Sequence, residues 1–175
     1  MTNVCRLALE GILGGGAAGT VSGMGRMLRS DLQDGIFHVT TCGAGDEHIF
    51  LTDLDRVEFL KGLDITIERT GWKLLAYCLM GTHYHLLIEA KADTLPGAMR
   101  WLNGVYSQRF NKRYRRRGHL LGARYDVWLM RDQRHFDATA RYILNNPVRA
   151  GLCKRAEDWP WSWADPSVGG LAAAA

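Results

Sequence analysis

The sequence has few cysteines, no long apolar run and little negative charge in its second half. Its four cysteines are widely scattered and form no CxxC pair, which argues against a disulfide scaffold or a thiolate zinc site and favours a reducing compartment. The longest uncharged stretch near the start, residues 11–25, is shorter than a membrane span and contains seven glycines. Glu10 follows Arg6 and interrupts the approach to any apolar segment of a secretion signal. These absences predict a cytoplasmic protein with no membrane partner.

The composition predicts one folded domain. With 175 residues, of which 47% are hydrophobic and 23% charged, the chain has an ordinary globular balance and is long enough to bury a sizeable core. Residues 1–30 are rich in glycine and have no clear periodicity, so we expect a poorly ordered extension there. We expect the folded domain over residues 31–165 and a flexible tail over residues 166–175.

Positive charge is concentrated in one segment. Residues 99–155 contain 14 lysines and arginines against three aspartates, whereas residues 1–98 contain 8 basic and 12 acidic residues. A field this uneven predicts a polyanionic partner. Most of these cations are arginines interleaved with aromatic residues, which favours a nucleic acid over a merely solvated face, because arginine pairs with phosphate and aromatic rings stack on bases. The candidate nucleic-acid contacts are Arg109, Lys112, Arg113, Arg115, Arg116, Arg117 and Arg124.

Strand and helix patterns alternate through the folded part. Strands are predicted over residues 36–42, 72–80, 84–90 and 125–130, and the second and third form a hairpin. Helices are predicted over residues 54–69, 95–115 and 133–145. The apolar stripe expected to face the core in the first helix is Leu54, Val57, Leu60, Leu63 and Ile67. The tryptophan-rich residues 159–163 are expected to cover an edge of the core. This order predicts an α+β fold, a ferredoxin-like antiparallel sheet with helices packed on one face.

Two histidines flank a tyrosine at the start of the third predicted strand. Because side chains alternate along a strand, His83 and His85 are expected on one face and Tyr84 on the other. Two imidazoles on one face can chelate a divalent ion, which could then polarise a phosphoryl or carbonyl oxygen. A structural role for the two histidines is the alternative, since such a pair is weak evidence by itself.

A tyrosine in the last predicted helix lies outside its apolar side. Apolar residues such as Ala140 and Ile143 cluster on one side, and Tyr142 points about 145° away from the centre of that cluster. Asn146 comes four residues later and is expected near the same face, one turn along. The pair could place a nucleophile next to a metal. The alternative is a partly buried tyrosine that anchors the helix.

Together and in this order, these blocks resemble the single-tyrosine HUH transposases, and in particular their REP-associated branch with its IS200-like domain. The similarity extends over about residues 36–163 and includes FHVTTCG, WKLLAYCLMGTHYHLLIEA, ARYILNNPVRAGL and DWPWSW. Several blocks in a fixed order are far more specific than any one motif. The resemblance implies that residues 31–165 are the catalytic domain of a DNA transposase and that its partner is single-stranded or hairpin DNA.

The resemblance also implies roles for individual residues. The His-hydrophobic-His pair that binds a divalent metal, Mg²⁺ or Mn²⁺, falls on His83 and His85. The nucleophile falls on Tyr142, and the residue that completes the metal site falls on Asn146. The implied reaction is attack of the tyrosine on single-stranded DNA, giving a 5′-phosphotyrosine and a free 3′-hydroxyl. The family includes monomers and dimers, so a homodimer is one expectation.

Two other functions are compatible with the same residues. One is a DNA- or RNA-binding protein that keeps the basic surface without cleaving, in which Tyr142→Phe would leave binding unchanged. The other is a metal-dependent hydrolase that uses His83 and His85 without a covalent intermediate and therefore survives the loss of Tyr142. The sequence offers such a hydrolase no further ligands at standard spacing.

Overall fold

The computed structural model describes residues 33–122 and 124–168, so the predicted extension over residues 1–30 and most of the predicted tail lie outside the described residues. The strands are β1 (Gly35–Cys42), β2 (Lys73–Leu79), β3 (His83–Ala90), β4 (Asp126–Leu129) and β5 (Ser162–Ala164). The helices are α1 (Asp53–Thr70), α2 (Leu95–Arg113), α3 (Gln133–Leu144) and the short α4 (Asn146–Arg149). No helix within these residues has the length and apolar character that a membrane span requires.

The strands form one antiparallel sheet in the order β4-β1-β3-β2-β5. The chain order β1-α1-β2-β3-α2-β4 with β1 and β3 at the centre is the ferredoxin-like split βαβ arrangement. The predicted antiparallel α+β fold is therefore confirmed. Strand β5 lies along the free edge of β2, with Tyr77 opposite Trp163 and the Leu79 amide donating to the Trp161 carbonyl over 2.9 Å. The tryptophan-rich segment thus covers a sheet edge, as predicted.

Both faces of the sheet are covered. On one face, Tyr84, Leu86 and Ile88 of β3 are fully buried against the apolar sides of α1 and α2. On the other face, Leu87 packs with residues of α3, including Ile143. The prediction that the helices share one face is correct for the two long helices and wrong for α3. The reason is that the central strands present buried side chains on both faces, so the second face also needs a cover.

The predicted core stripe of α1 is partly wrong. Leu54 and Val57 are 53% and 37% exposed, whereas Phe59 and Leu63 are fully buried. The helix is turned so that Asp55 points inward, where its carboxylate accepts hydrogen bonds from Arg113 at 2.6 Å and from the Tyr114 hydroxyl at 2.8 Å. A helical wheel assigns a charged residue to the solvent side, because it contains no information about partners on another helix.

Candidate active site

The two histidines of β3 lie on the sheet face that α3 covers. His83 and His85 are 8% and 3% exposed, and their ring centroids are 5.0 Å apart. Tyr84 points to the opposite face, where its hydroxyl donates to Asn103 at 2.6 Å and accepts from the Thr41 hydroxyl at 2.9 Å. This is the alternation expected of a strand, so the fold brings both imidazoles to one place.

Asn146 closes over the same two histidines from the start of α4. Its Nδ2 lies 3.1 Å from His85 Nε2, and its side chain is buried. Helix α3 ends at Leu144, one residue before the predicted end, and Pro147 is in the first turn of α4. Proline is tolerated there because the first turn needs no amide donor, so the chain can turn sharply and direct Asn146 toward the sheet.

Both histidines are in the form that can bind a metal, and one of their ring nitrogens is unpartnered. Burial lowers the pKa of His83, opposed by the Asn146 amide, and holds the pKa of His85 well below its ordinary value. Both rings are therefore neutral near pH 7, the form in which imidazole binds metals. His83 Nε2 is buried and has no hydrogen-bond partner among the described residues. An orphaned buried nitrogen beside a second imidazole and an amide is compatible with a divalent cation.

A third ligand would have to come from an amide or from substrate. Within residues 33–122 and 124–168, no three histidine, cysteine or acidic side chains gather in a way that could hold a metal ion. The Asn146 amide presents Nδ2 to His85; turned about its terminal bond, it would present its oxygen and extend the two imidazoles to an N,N,O set. Oxygen is the donor that a hard divalent cation prefers.

The helical wheel predicts that Tyr142 points away from the core, and this prediction is wrong. It is 6% exposed and belongs to the same apolar cluster as Ala140 and Ile143. Its ring centroid lies 5.6 Å from that of His85. Because α3 lies on a broad sheet face, and because the tyrosine side chain is long, Tyr142 can reach along that face even from the flank of the helix. The Tyr142 ring, with its hydroxyl, therefore lies beside the histidines.

The Tyr142 hydroxyl is buried and makes no hydrogen bond within the described structure. Burial raises its pKa, while the guanidinium of Arg149 and the amide of Asn146 oppose that rise. The Arg149 guanidinium carbon lies 5.3 Å from the centre of the tyrosine ring. Buried hydroxyls are normally satisfied, so an unpaired one beside a cation and two imidazoles is a feature expected of a reactive site.

Sequence reasoning missed His38. This residue of β1 is 2% exposed, and its Nε2 lies 3.0 Å from His85 Nδ1. The ring also lies against Trp128, with centroids 5.2 Å apart. A contact between residues 47 positions apart depends on the register of β1 against β3, which no local pattern specifies.

The candidate nucleic-acid residues divide into two groups. Three of them form ion pairs on the α1–α2 side: Arg109 with Glu58 at 3.2 Å, Arg113 with Asp55 at 2.6 Å, and Arg116 with Glu47. The others are exposed and make no ion pair within the described part of the chain: Lys112, Arg115, Arg117 and Arg124. The second group lies in the last turn of α2 and in the loop between α2 and β4.

That loop meets the sheet at the end where His83 lies. The Gly122 amide donates to the Cys42 carbonyl over 3.0 Å, and Cys42 pairs with His83 across the sheet. Between the loop and α2 is a cavity of about 490 Å³. Its lining includes Arg100, Asn103 and Arg124 and contains no acidic residue.

The chain is similar to known transposases in sequence and fold. Residues 32–146 match the family model described as "Transposase IS200 like". A Haemophilus influenzae protein named as a REP-associated tyrosine transposase is 26% identical over 151 residues, which cover 79% of this chain and 85% of that protein. A solved structure of a REP-associated tyrosine transposase bound to a REP hairpin matches with a TM-score of 0.63 at 16% identity, covering 81% of this chain and 82% of that chain. At that identity, the structural match demonstrates a shared fold.

Proposed function

Because the chain belongs to the IS200-like transposase family, whose members are enzymes that act on DNA, we propose that Tyr142 is the nucleophile of its DNA cleavage and strand-transfer reaction. The observation that supports this most directly is the position of the Tyr142 ring, 5.6 Å from the ring of His85. The hydroxyl of Tyr142 is buried and makes no full hydrogen bond among the described residues, with the Asn146 amide near enough to lower its pKa.

Enzymes of this family generally need a divalent metal. We propose that this metal is Mg²⁺ or Mn²⁺, and that Nε2 of His83, Nε2 of His85 and the amide oxygen of Asn146 hold it. The unpartnered Nε2 of His83 supports the assignment. A cation held there would supply a positive charge that polarises the scissile phosphate and offsets the charge developing on it.

The protein residues then have separate tasks. Tyr142 Oη attacks the phosphorus, so that a bond from phosphorus to Oη forms and the bond to the 3′ oxygen breaks. The phenolic proton passes to water, and the departing 3′ oxygen takes up a proton from water to give a free hydroxyl, so that no proton is gained or lost overall. Arg149, which lies over the tyrosine ring, favours the negative charge on Oη as the proton leaves. Burial raises the Tyr142 pKa, so the hydroxyl is protonated near neutral pH before it reacts.

We further propose that single-stranded or hairpin DNA is the substrate. The exposed cations at the end of α2, Arg115 and Arg117, are suited to phosphate contacts, and the cavity beside them has no acidic lining residue. The loop contacts Cys42, which pairs with His83, so a strand bound there needs only to cross the end of the sheet to reach Tyr142. The cytoplasmic location and a homodimer remain predictions from the sequence.

A covalent-adduct assay tests the nucleophile. The protein is incubated with a pool of labelled hairpin DNAs that have single-stranded flanks, with Mn²⁺ or Mg²⁺, and the products are separated on a denaturing gel. We expect a protease-sensitive adduct with the wild type and none with Tyr142→Phe or His83→Ala. Tyr77→Phe is the matched control, because Tyr77 is a half-buried tyrosine that stacks on Trp163 at the far edge of the sheet.

The outcomes separate the proposed function from its rivals. Cleavage that persists in Tyr142→Phe would contradict the nucleophile assignment and favour a hydrolase. Salt-sensitive binding with no adduct in any metal would favour a DNA-binding protein without catalytic activity.

A further inference from the structure

We propose that His38 is a positioning residue that holds His85 in the tautomer and ring orientation that direct His85 Nε2 toward the metal. The inference rests on the proposed function, because it takes His83 and His85 as ligands. Nothing in the sequence pattern or in the resemblance to transposases gives His38 a role.

The two imidazoles meet in a buried environment on neighbouring strands. His85 lies opposite Thr40 in the β1–β3 register, so His38 is its diagonal neighbour on the same face. The distance from His38 Nε2 to His85 Nδ1 is 3.0 Å, a normal hydrogen bond. Both side chains are at most 3% exposed, so water cannot readily replace either partner.

The neighbours of His85 specify where its proton lies. The Nδ2 of Asn146, 3.1 Å from His85 Nε2, belongs to an amide NH₂ group and can only donate. With this amide orientation His85 Nε2 accepts, and the proton of the neutral ring is on Nδ1. A metal bound to Nε2 would displace the amide NH₂ and need the amide oxygen turned toward it, with the ring proton still on Nδ1. That proton is donated to His38 Nε2. A histidine that ligates a metal through Nε2 needs this tautomer, and the partner of its other nitrogen fixes the ring.

The ring of His38 is held in place by a neighbouring side chain. It lies against Trp128 at 5.2 Å and 31° between planes. Its Nε2 faces His85 Nδ1 at 3.0 Å, within hydrogen-bond distance, and is placed to accept. The substitution His38→Leu would fill similar space on β1 but would leave the proton on His85 Nδ1 without an acceptor.

Two measurements test His38. The first is the ¹⁵N NMR signature of the His85 ring in the wild-type protein without DNA, which reports directly which nitrogen is protonated. We expect the proton on Nδ1. A proton on Nε2 would overturn the inference, whether or not the protein binds a metal.

The second measurement is Mn²⁺ affinity, from the electron paramagnetic resonance signal of free Mn²⁺. Loss of a buried partner of a metal-ligating histidine typically weakens binding about 10- to 100-fold, and we expect this of His38→Leu. We expect His38→Gln to recover most of the affinity, because its amide oxygen can replace the acceptor. His135→Leu controls for the loss of a nearby imidazole. Unchanged affinity in His38→Leu, with the wild type binding Mn²⁺, would overturn the inference.

The same experiment distinguishes the failure of the underlying proposal. A wild-type protein that binds no Mn²⁺ contradicts the metal site itself, whereas the NMR measurement still decides whether His38 accepts from His85. Far-ultraviolet circular dichroism and urea unfolding establish that each variant is folded before its affinity is compared.

Discussion

Tyr142→Phe is expected to stabilise the protein while abolishing its chemistry. The Tyr142 hydroxyl is buried and has no hydrogen-bond partner among the described residues, and the whole residue is only 6% exposed. Leaving a buried hydroxyl unpaired costs about 1–3 kcal/mol. Phenylalanine removes that oxygen and keeps the ring contacts with His85 and His38. The Asn146 amide lies near the hydroxyl and offsets part of that cost, so the free energy of unfolding should rise by at most about 1–3 kcal/mol.

Tyr84→Phe is the matched control, because it removes the same atom from the other face of the sheet. Tyr84 is fully buried, and its hydroxyl donates to Asn103 and accepts from Thr41. The substitution removes two hydrogen bonds and leaves both partners short of one, so the free energy of unfolding should fall by about 1–3 kcal/mol. The same chemical change is thus expected to have opposite signs at the two positions.

Urea unfolding followed by tryptophan fluorescence measures both variants in a buffer without DNA or metal. In a domain of this size, 1 kcal/mol corresponds to about 2–4 °C in Tm, so thermal unfolding gives an independent check. If Tyr142→Phe lowers stability as much as Tyr84→Phe does, the Tyr142 hydroxyl has a structural partner. The Tyr142 hydroxyl would then not be an unpaired group that is kept free to react.

Three further results are expected. His83→Ala should lower Mn²⁺ affinity at least about tenfold by titration, since removing a ligand should cost no less than removing its supporting partner; unchanged affinity would remove His83 from the metal site. Asp55→Asn should destabilise the protein near neutral pH, because the Asp55 carboxylate, 1% exposed, pairs with Arg113. Burial raises the Asp55 pKa, but hydrogen bonds lower it overall below 3.8; the donors are Tyr114, Thr52, Arg113 and Leu51. The stabilisation from the ionised carboxylate is therefore complete above that pH and is lost as the pH falls through the folded-state pKa. The free energies of unfolding of wild type and variant, from urea curves, should converge in strong acid, and a difference that stays constant with pH would contradict this. Arg117→Gln should reduce the slope of log affinity for single-stranded DNA against log salt by about 0.7, as measured by fluorescence anisotropy. Lys91 is exposed beyond the far end of β3, so Lys91→Gln should leave that slope unchanged. Equal slopes in both variants would show that Arg117 contacts no phosphate.

The secondary structure was predictable because it depends on local patterns. The alternation in β3 placed His83 and His85 together on one face, and the turn at Gly81-Thr82 gave the hairpin. The end of α1 at Gly71 follows from its positive φ of 71°, which glycine adopts without strain. The order of these blocks was also sufficient for the ferredoxin-like sheet, since short connections between neighbouring elements leave few alternatives.

The helix faces were less predictable, because a wheel assumes that charge points to solvent. Asp55 lies inward only because Arg113, 58 residues away, provides a partner. Tyr142 is buried only because α3 packs on a sheet face that already contains the two histidines. In both cases the free energy that orients the side chain comes from another element.

The sequence by itself determined the types of residue in the site, their order along the chain and the family to which the chain belongs. The tertiary structure alone decided that His38 contacts His85, that Asn146 closes over the same ring, and that Tyr142 has an unpaired hydroxyl beside them. The physical reason is the separation along the chain of the residues that interact. Strand and helix periodicities arise from neighbours a few residues apart, whereas these contacts join residues 47 and 61 positions apart. They exist because strand register and helix packing minimise the free energy of the whole domain.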